Sequence, residues 1–311
     1  MQNLLCHVAQ LLASDKVQTV GIPMAEDLLF IPSTASQEQD VRRWLIEQDW
    51  LLAIISFPNQ AFSTTAPYVW IITNQKRPQR IGKIQLIHGK GIAESGNQEA
   101  ARQPSPITEK QLRAISRRYT RFKEGAYSKI FEKEAFGYQR ITIERPLRLT
   151  FQASAFRIAR LKAQPAFLQA PAQQKPLLKV LNQFSETSVY AHREIFLSVL
   201  RSMCQAEGLS LEPFLEAAVL AALGKKDATA AICRDAQGQV EPDPELRHYE
   251  NVPLQESVAA YFEREIRPYF PAAWVDLTQT RIGYRINFSR PFPRSSPPLS
   301  PEKLLQQLFS H

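Results

Sequence analysis

The stretch Asp40-Val-Arg-Arg-Trp-Leu-Ile-Glu-Gln-Asp-Trp-Leu-Leu-Ala-Ile-Ile-Ser-Phe57 decides how the chain is read. Val41, Trp44 and Leu45 share one face at helical spacing, which predicts a helix from about Glu38 to Gln48. Leu51 to Phe57 is a nearly continuous apolar run, as in a strand buried on both faces. Upstream, Leu4, Leu5, Val8, Leu11 and Leu12 predict a helix over Asn3 to Ala13, and Val17 to Met24 reads as a strand. Downstream, Tyr68 to Thr73 and Lys83 to Ile87 are further strands, separated by turn signals at Arg77-Pro78 and Gly82. This order predicts an α/β unit that ends in an antiparallel hairpin.

Residues 93–106 turn small and polar, with Gly96, Pro104 and Pro106. The expected organisation is therefore a unit over 1–95, a linker over 96–106, and a mainly helical α+β region over 107–311. That region opens with a helix from Thr108 to Phe122, with Leu112, Ile115, Tyr119 and Phe122 on one face. Tyr138 to Phe151 is extended, broken at Pro146. Helical patterns follow over Ala191 to Gln205, Leu211 to Leu223, Val258 to Ile266 and Pro301 to Phe309. Arg281 to Phe288 alternates with a period of two.

With 44% hydrophobic and 22% charged residues, the 311-residue chain has globular composition. Cys6, Cys204 and Cys233 are far apart and form no CxxC pair, so neither a disulfide framework nor a zinc site is indicated. The histidines, His7, His88, His192, His248 and His311, lack ligand spacing, and no metal is expected. No signal-peptide pattern or membrane-length apolar run occurs, and a cytoplasmic location is expected. No GxSxG elbow is present, and the lone Gly89-Lys90-Gly91 reads as a surface turn without a following helix. Carboxylate pairs such as Glu132 and Glu134 lie in charge-rich segments that suit solvated faces. A net charge of +8 is compatible with a polyanionic partner.

The segment Asp40 to Phe62, followed by Thr64, Thr65 and Tyr68-Val-Trp-Ile-Ile-Thr-Asn74, resembles the adenine-specific (N6) DNA methyltransferase subunit of type I restriction-modification systems. Phe136-Gly-Tyr-Gln-Arg-Ile-Thr-Ile-Glu-Arg-Pro-Leu-Arg-Leu149 resembles a later block of that family. So do Pro242-Asp-Pro-Glu-Leu-Arg247, Glu250-Asn-Val-Pro-Leu254, Tyr261-Phe-Glu-Arg-Glu265 and Gly283-Tyr-Arg-Ile-Asn-Phe288. The blocks occur in order, which makes them more specific than any one alone.

The resemblance implies the C-terminal part of a Rossmann-like methyltransferase sheet, with S-adenosylmethionine, DNA and a specificity subunit as cofactor and partners. The family's Gly-containing donor loop and its Asn-Pro-Pro-aromatic motif are not found in these 311 residues. Ser296-Pro297-Pro298-Leu299 lacks the aromatic and the surrounding strand context. Val17 to Met24 matches the strand that follows the catalytic loop, so a truncated or split enzyme is expected. No catalytic or cofactor-binding residue is assigned, and no methyl transfer is expected from the chain alone. A sheet without its preceding strands would leave an apolar edge that needs a cover, such as a separately encoded N-terminal half.

Two features could meet nucleic acid. Phe62 lies where related methyltransferases place an aromatic that stacks on a flipped base, although closing the core is the competing role. Lys110, Arg113, Arg117 and Arg121 form a basic stripe with the regular spacing of phosphate contacts, against the alternative of a solvated helix face. An adaptor that binds a specificity subunit or the missing half, with DNA backbone contacts, is the second reading, and a free DNA-binding protein the third.

Overall fold

The computed structural model describes residues 19–24, 37–57, 67–94 and 107–292, with backbone only for 37–39 and 93–94. The helices expected over Asn3 to Ala13 and Pro301 to Phe309, and residues 96–106, lie outside them. The chain forms two compact units. Met1–Ile141, Asn251–Tyr261 and Thr280–His311 make the first; Thr142–Glu250 and Phe262–Gln279 make the second.

The first unit is built on a five-stranded mixed sheet: β1 (Thr19–Met24), β2 (Leu51–Ser56), β3 (Tyr68–Thr73), β4 (Lys83–His88) and β5 (Ser128–Glu132), in spatial order β1-β3-β2-β4-β5. β3 runs antiparallel to both β1 and β2, β4 parallel to β2, and β5 antiparallel to β4, so the hairpin expected of Tyr68–Thr73 with Lys83–Ile87 does not form: β2 lies between those two strands. All six residues of β2 are buried, as its apolar run requires. Period two assigns the two faces of β3: Tyr68, Trp70 and Ile72 point into one core, Val69 and Ile71 into the other.

The first of these cores takes Leu45 and Ile46 from helix α1 (Gln37–Glu47), together with Ile286, Phe288 and Phe292. The second lies under α2 (Gly89–Glu94) and α3 (Glu109–Arg121), through Ile92 and Ile115. Each fully buried aliphatic side chain contributes about 1.5–3 kcal/mol, so these layers dominate the stability of the unit. At the edge, β1 carries exposed Thr19, Gly21 and Pro23 on one side, and buried Ile22 and Met24 on the other. Among the described residues β1 is an edge strand, and Pro23 suits that position because it has no N–H to donate.

α1 ends in a Schellman turn. Asp49, at φ 58°, is its left-handed residue; Trp50 N–H donates to Leu45 O (2.8 Å) and Asp49 N–H to Ile46 O (3.0 Å). Glycine is the usual residue here, but the Asp49 carboxylate has other work. Its Oδ1 accepts from Lys76 Nζ at 2.6 Å, and its Oδ2 from Gly82 N–H at 2.7 Å. The start of β2 is thereby pinned to the β3–β4 connection.

A smaller sheet, in the order β10-β6-β9, contains β6 (Gly137–Glu144), β9 (His248–Pro253) and β10 (Trp274–Tyr284). The strand expected over Arg281 to Phe288 thus begins seven residues earlier and ends at Tyr284. Ile286 and Phe288 follow in irregular backbone and are buried in the core, Phe288 edge-on to Tyr68 with ring centroids 5.0 Å apart. Core burial, rather than strand pairing, underlies that part of the alternation.

In the second unit, β7 (Leu149–Phe151) pairs with β8 (Gly224–Lys226) beside a helical cluster. The helices are α4 (Ala155–Lys162), α5 (Pro165–Leu168), α6 (Pro171–Leu181), α7 (Arg193–Ala206) and α8 (Pro213–Leu223). Phe151, Leu161, Leu177, Phe196, Leu200 and Leu215 form its core, with Phe151 stacked on Phe196. The last two helices match the sequence patterns. The first three were not predicted, because their short apolar runs are interrupted by Pro165, Pro171 and Pro176. α9 (Val258–Tyr261) continues as a π-helical turn over Phe262–Ile266.

Candidate nucleic-acid interface

Thr108 starts α3 with a capping box. Its hydroxyl accepts from Gln111 N–H at 3.3 Å, and the Gln111 side chain accepts from Thr108 N–H at 2.8 Å. Ile115 is buried against the sheet, whereas Leu112 is 47% exposed at the margin. Lys110, Arg113, Arg117 and Arg121 are all exposed on the opposite face. At 1.5 Å per residue the stripe runs about 16 Å along the helix, several phosphate spacings of a duplex strand. Arg113 is paired with Glu109 at 2.5 Å, both more than 70% exposed. Lys110, Arg117 and Arg121 have no carboxylate partner among the described residues.

A buried polar cluster fixes this helix. Arg80 is only 6% exposed, and its guanidinium lies between the rings of Tyr119 (4.8 Å) and Phe122 (4.3 Å). It donates to Gln85 Oε1 at 3.2 Å and to the Tyr119 carbonyl. Gln85 Nε2 in turn donates to Arg118 O at 3.0 Å and to Ser128 Oγ at 2.9 Å. Thus β4 and the turn before it satisfy carbonyls in the last turn of α3, and a cation sits at the negative end of the helix dipole. Burial lowers the pKa of Arg80, an effect that Tyr119 partly opposes. Burial also raises the Tyr119 phenol. Sequence reading missed Arg80 and Gln85, which carried no signal beyond a Pro-containing turn and a polar residue within an apolar strand.

Phe62, the candidate base contact, lies outside the described residues, as do Thr64, Thr65 and Ser296 to Leu299. Glu132 and Glu134 are exposed, as are Glu263 and Glu265. Among the described residues no group of histidine, cysteine, aspartate or glutamate could hold a metal ion, and no helix is long and apolar enough to cross a membrane.

Gly89-Lys90-Gly91 offers a test of fit for a nucleoside donor, since a glycine turn after a strand can expose backbone amides. Contrary to expectation, a helix does follow: α2 begins at Gly89. The glycines, however, serve close packing. A Cβ on Gly89 would lie 2.3 Å from Ser56 O, and one on Gly91 2.6 Å from His88 Nδ1. Protein fills the space beyond both Cα atoms, which accounts for glycine at these two positions.

The model of the N-6 DNA methylase family matches residues 4–137, which contain the whole five-stranded sheet and α3. A crystal structure of the type I restriction-modification system methyltransferase subunit from Streptococcus thermophilus aligns at 19% identity with a TM-score of 0.30. The alignment covers 38% of this chain and 24% of that one, so the chain spans about a quarter of the subunit it matches. No curated protein matches the chain.

Proposed function

We propose that this chain is the part of a type I adenine-N6 DNA methyltransferase subunit that follows the catalytic loop, and that it acts with DNA and protein partners. The observation that carries the reading is the N-6 DNA methylase match over residues 4–137. The ordered blocks from Phe136 to Phe288 support its extension to the second unit. In this reading α3 lays Lys110, Arg113, Arg117 and Arg121 along the DNA backbone, which positions the duplex without reading its sequence. Phe62 is the residue proposed to reach the target base. Residues 107–311 serve DNA contact and the docking of a specificity subunit.

S-adenosylmethionine, the methyl donor implied by the family, is held by a polypeptide that carries the donor loop and the Asn-Pro-Pro-aromatic motif. This chain supplies binding and orientation rather than the transfer itself. The test is incorporation of labelled methyl into adenine of duplex DNA. The purified chain is expected to give none, and a mixture with such a polypeptide to give turnover. Turnover by the chain alone, or failure of the two to associate, would overturn the reading.

A further inference from the structure

The second unit contains a cleft of about 580 Å3 whose residues all lie outside the segment matched to the methylase family. Four stretches line it, 145–148, 226–228, 243–246 and 269–273, and backbone hydrogen bonds join the neighbourhoods of the first and third. Leu147 N–H donates to Glu241 O and Asp243 N–H to Arg145 O, each at 2.8 Å. Beside them, Arg247 Nε donates to the buried Glu144 carboxylate at 2.6 Å. Tyr269 to Ala273 closes the third side.

The charges in this cleft are unequally engaged. Lys226 is taken up by Asp243 (2.6 Å) and Glu245 (2.7 Å), and Asp227 accepts from the Thr229 hydroxyl and N–H. Arg145 lies 4.2 Å over the Phe270 ring, and Arg148 donates to the neutral carbonyl of Ala230 at 2.5 Å. Neither guanidinium has a carboxylate partner among the described residues. Tyr269 is 75% exposed at the mouth, next to Pro271 and Ala272.

Two guanidinium groups without counter-anions suit a phosphate, and an exposed tyrosine beside apolar wall suits a planar base. We propose that the cleft binds one nucleotide, with its phosphate at Arg145 and Arg148 and its base on Tyr269. Asp227, Asp243 and Glu245 offset the three cations of the lining, which favours a single phosphate over a polyphosphate chain. That chemistry is shared by a free nucleoside monophosphate and by one unit of a DNA strand. The inference uses no residue of α3 and stands apart from the methyltransferase reading.

The experiment uses the full chain and two probes: deoxyadenosine monophosphate, followed by saturation-transfer NMR, and a labelled single-stranded DNA 12-mer, followed by fluorescence anisotropy. Tyr269→Ala is expected to weaken binding about 5- to 150-fold, the range of a lost base stack. Tyr269→Phe should retain it, and Arg145→Gln should weaken it, all with unchanged thermal melting. Strand binding that the monophosphate displaces identifies a strand as the source; monophosphate binding without strand binding identifies a free nucleotide. Replacing Lys110, Arg113, Arg117 and Arg121 by Gln should leave monophosphate binding intact. Loss of monophosphate binding in that variant, no binding of either probe, or binding unmoved by both Tyr269→Ala and Arg145→Gln would overturn the proposal.

Discussion

The guanidinium of Arg80 lies over the ring of Tyr119, 4.8 Å from its centroid, while donating a hydrogen bond to the backbone carbonyl of that same residue. One side chain thus holds both the packing face and the C-terminal turn of the helix that bears the basic stripe. Arg80→Met keeps much of the volume but leaves Gln85 Oε1 and the Tyr119 carbonyl without their donor. An unsatisfied buried acceptor costs about 1–3 kcal/mol. Urea unfolding should show a loss of that order, with faster amide exchange in the last turn of α3. Unchanged stability and exchange would mean that the helix is held by Ile115 and its apolar neighbours alone.

Asp49 holds a left-handed position where glycine would relieve backbone strain. If conformation dominated, Asp49→Gly would stabilise the chain. The carboxylate, however, partners the Lys76 ammonium, whose side chain is only 4% exposed. Removing one member of such a pair leaves a buried charge, at a cost of about 3–5 kcal/mol. Chemical denaturation of Asp49→Gly is therefore expected to show net destabilisation. Increased stability would reverse this ranking of the two effects.

Burial lowers the pKa of Lys76 from its ordinary 10.5, and the Asp49 hydrogen bond opposes the shift. Between the lowered value and 10.5 the unfolded chain binds more protons than the folded one, so this residue makes stability rise with pH through that window. Below the window its burial penalty is present in full. The stability difference between the parent chain and Lys76→Met, measured by urea melts from pH 8 to 11, should shift in favour of the parent as pH rises. A difference that is flat, or of opposite slope, would contradict the assignment.

Gly89 begins α2 with no room for a side chain, since an added Cβ would lie 2.3 Å from the Ser56 carbonyl and 2.8 Å from Ile115. Gly89→Ala should force β2, α2 and α3 apart, with a loss of about 1–3 kcal/mol as for other overpacked cores. Gly125→Ala is the control, because nothing lies within 4 Å of that position. Thermal melts that fail to separate the two variants would show that the β4–α2 junction yields easily.

The α3 stripe has a distinct electrostatic signature. Each phosphate contact released should reduce the log–log dependence of DNA affinity on salt by about 0.9. Replacing Lys110, Arg117 and Arg121 by Gln should reduce the slope by up to three such steps, similarly on unrelated duplex sequences. Anisotropy titrations from 50 to 300 mM salt measure this. An unchanged slope would leave the stripe as a solvated face.

The local patterns carried much of the architecture. The apolar run from Leu51 is a wholly buried strand, Tyr68–Thr73 has the predicted bounds, and the amphipathic pattern after Thr108 forms a capped helix with its cations outward. These features were legible because burial period and capping chemistry act within a few residues.

Tertiary structure decided the partnerships. Period two says which face of a strand is buried but not which neighbour it pairs with, so the insertion of β3 between β1 and β2 was invisible in the pattern. The Arg80, Gln85 and Ser128 cluster, and the pairing of Glu144 with Arg247, join residues tens to a hundred positions apart. The sequence by itself determined the buried faces and the cationic stripe, because hydrophobic burial and helix geometry act locally. Only the tertiary structure decided the strand order, the anchoring of α3 and the cleft beside Tyr269, because each requires long-range contacts to satisfy buried polar groups together.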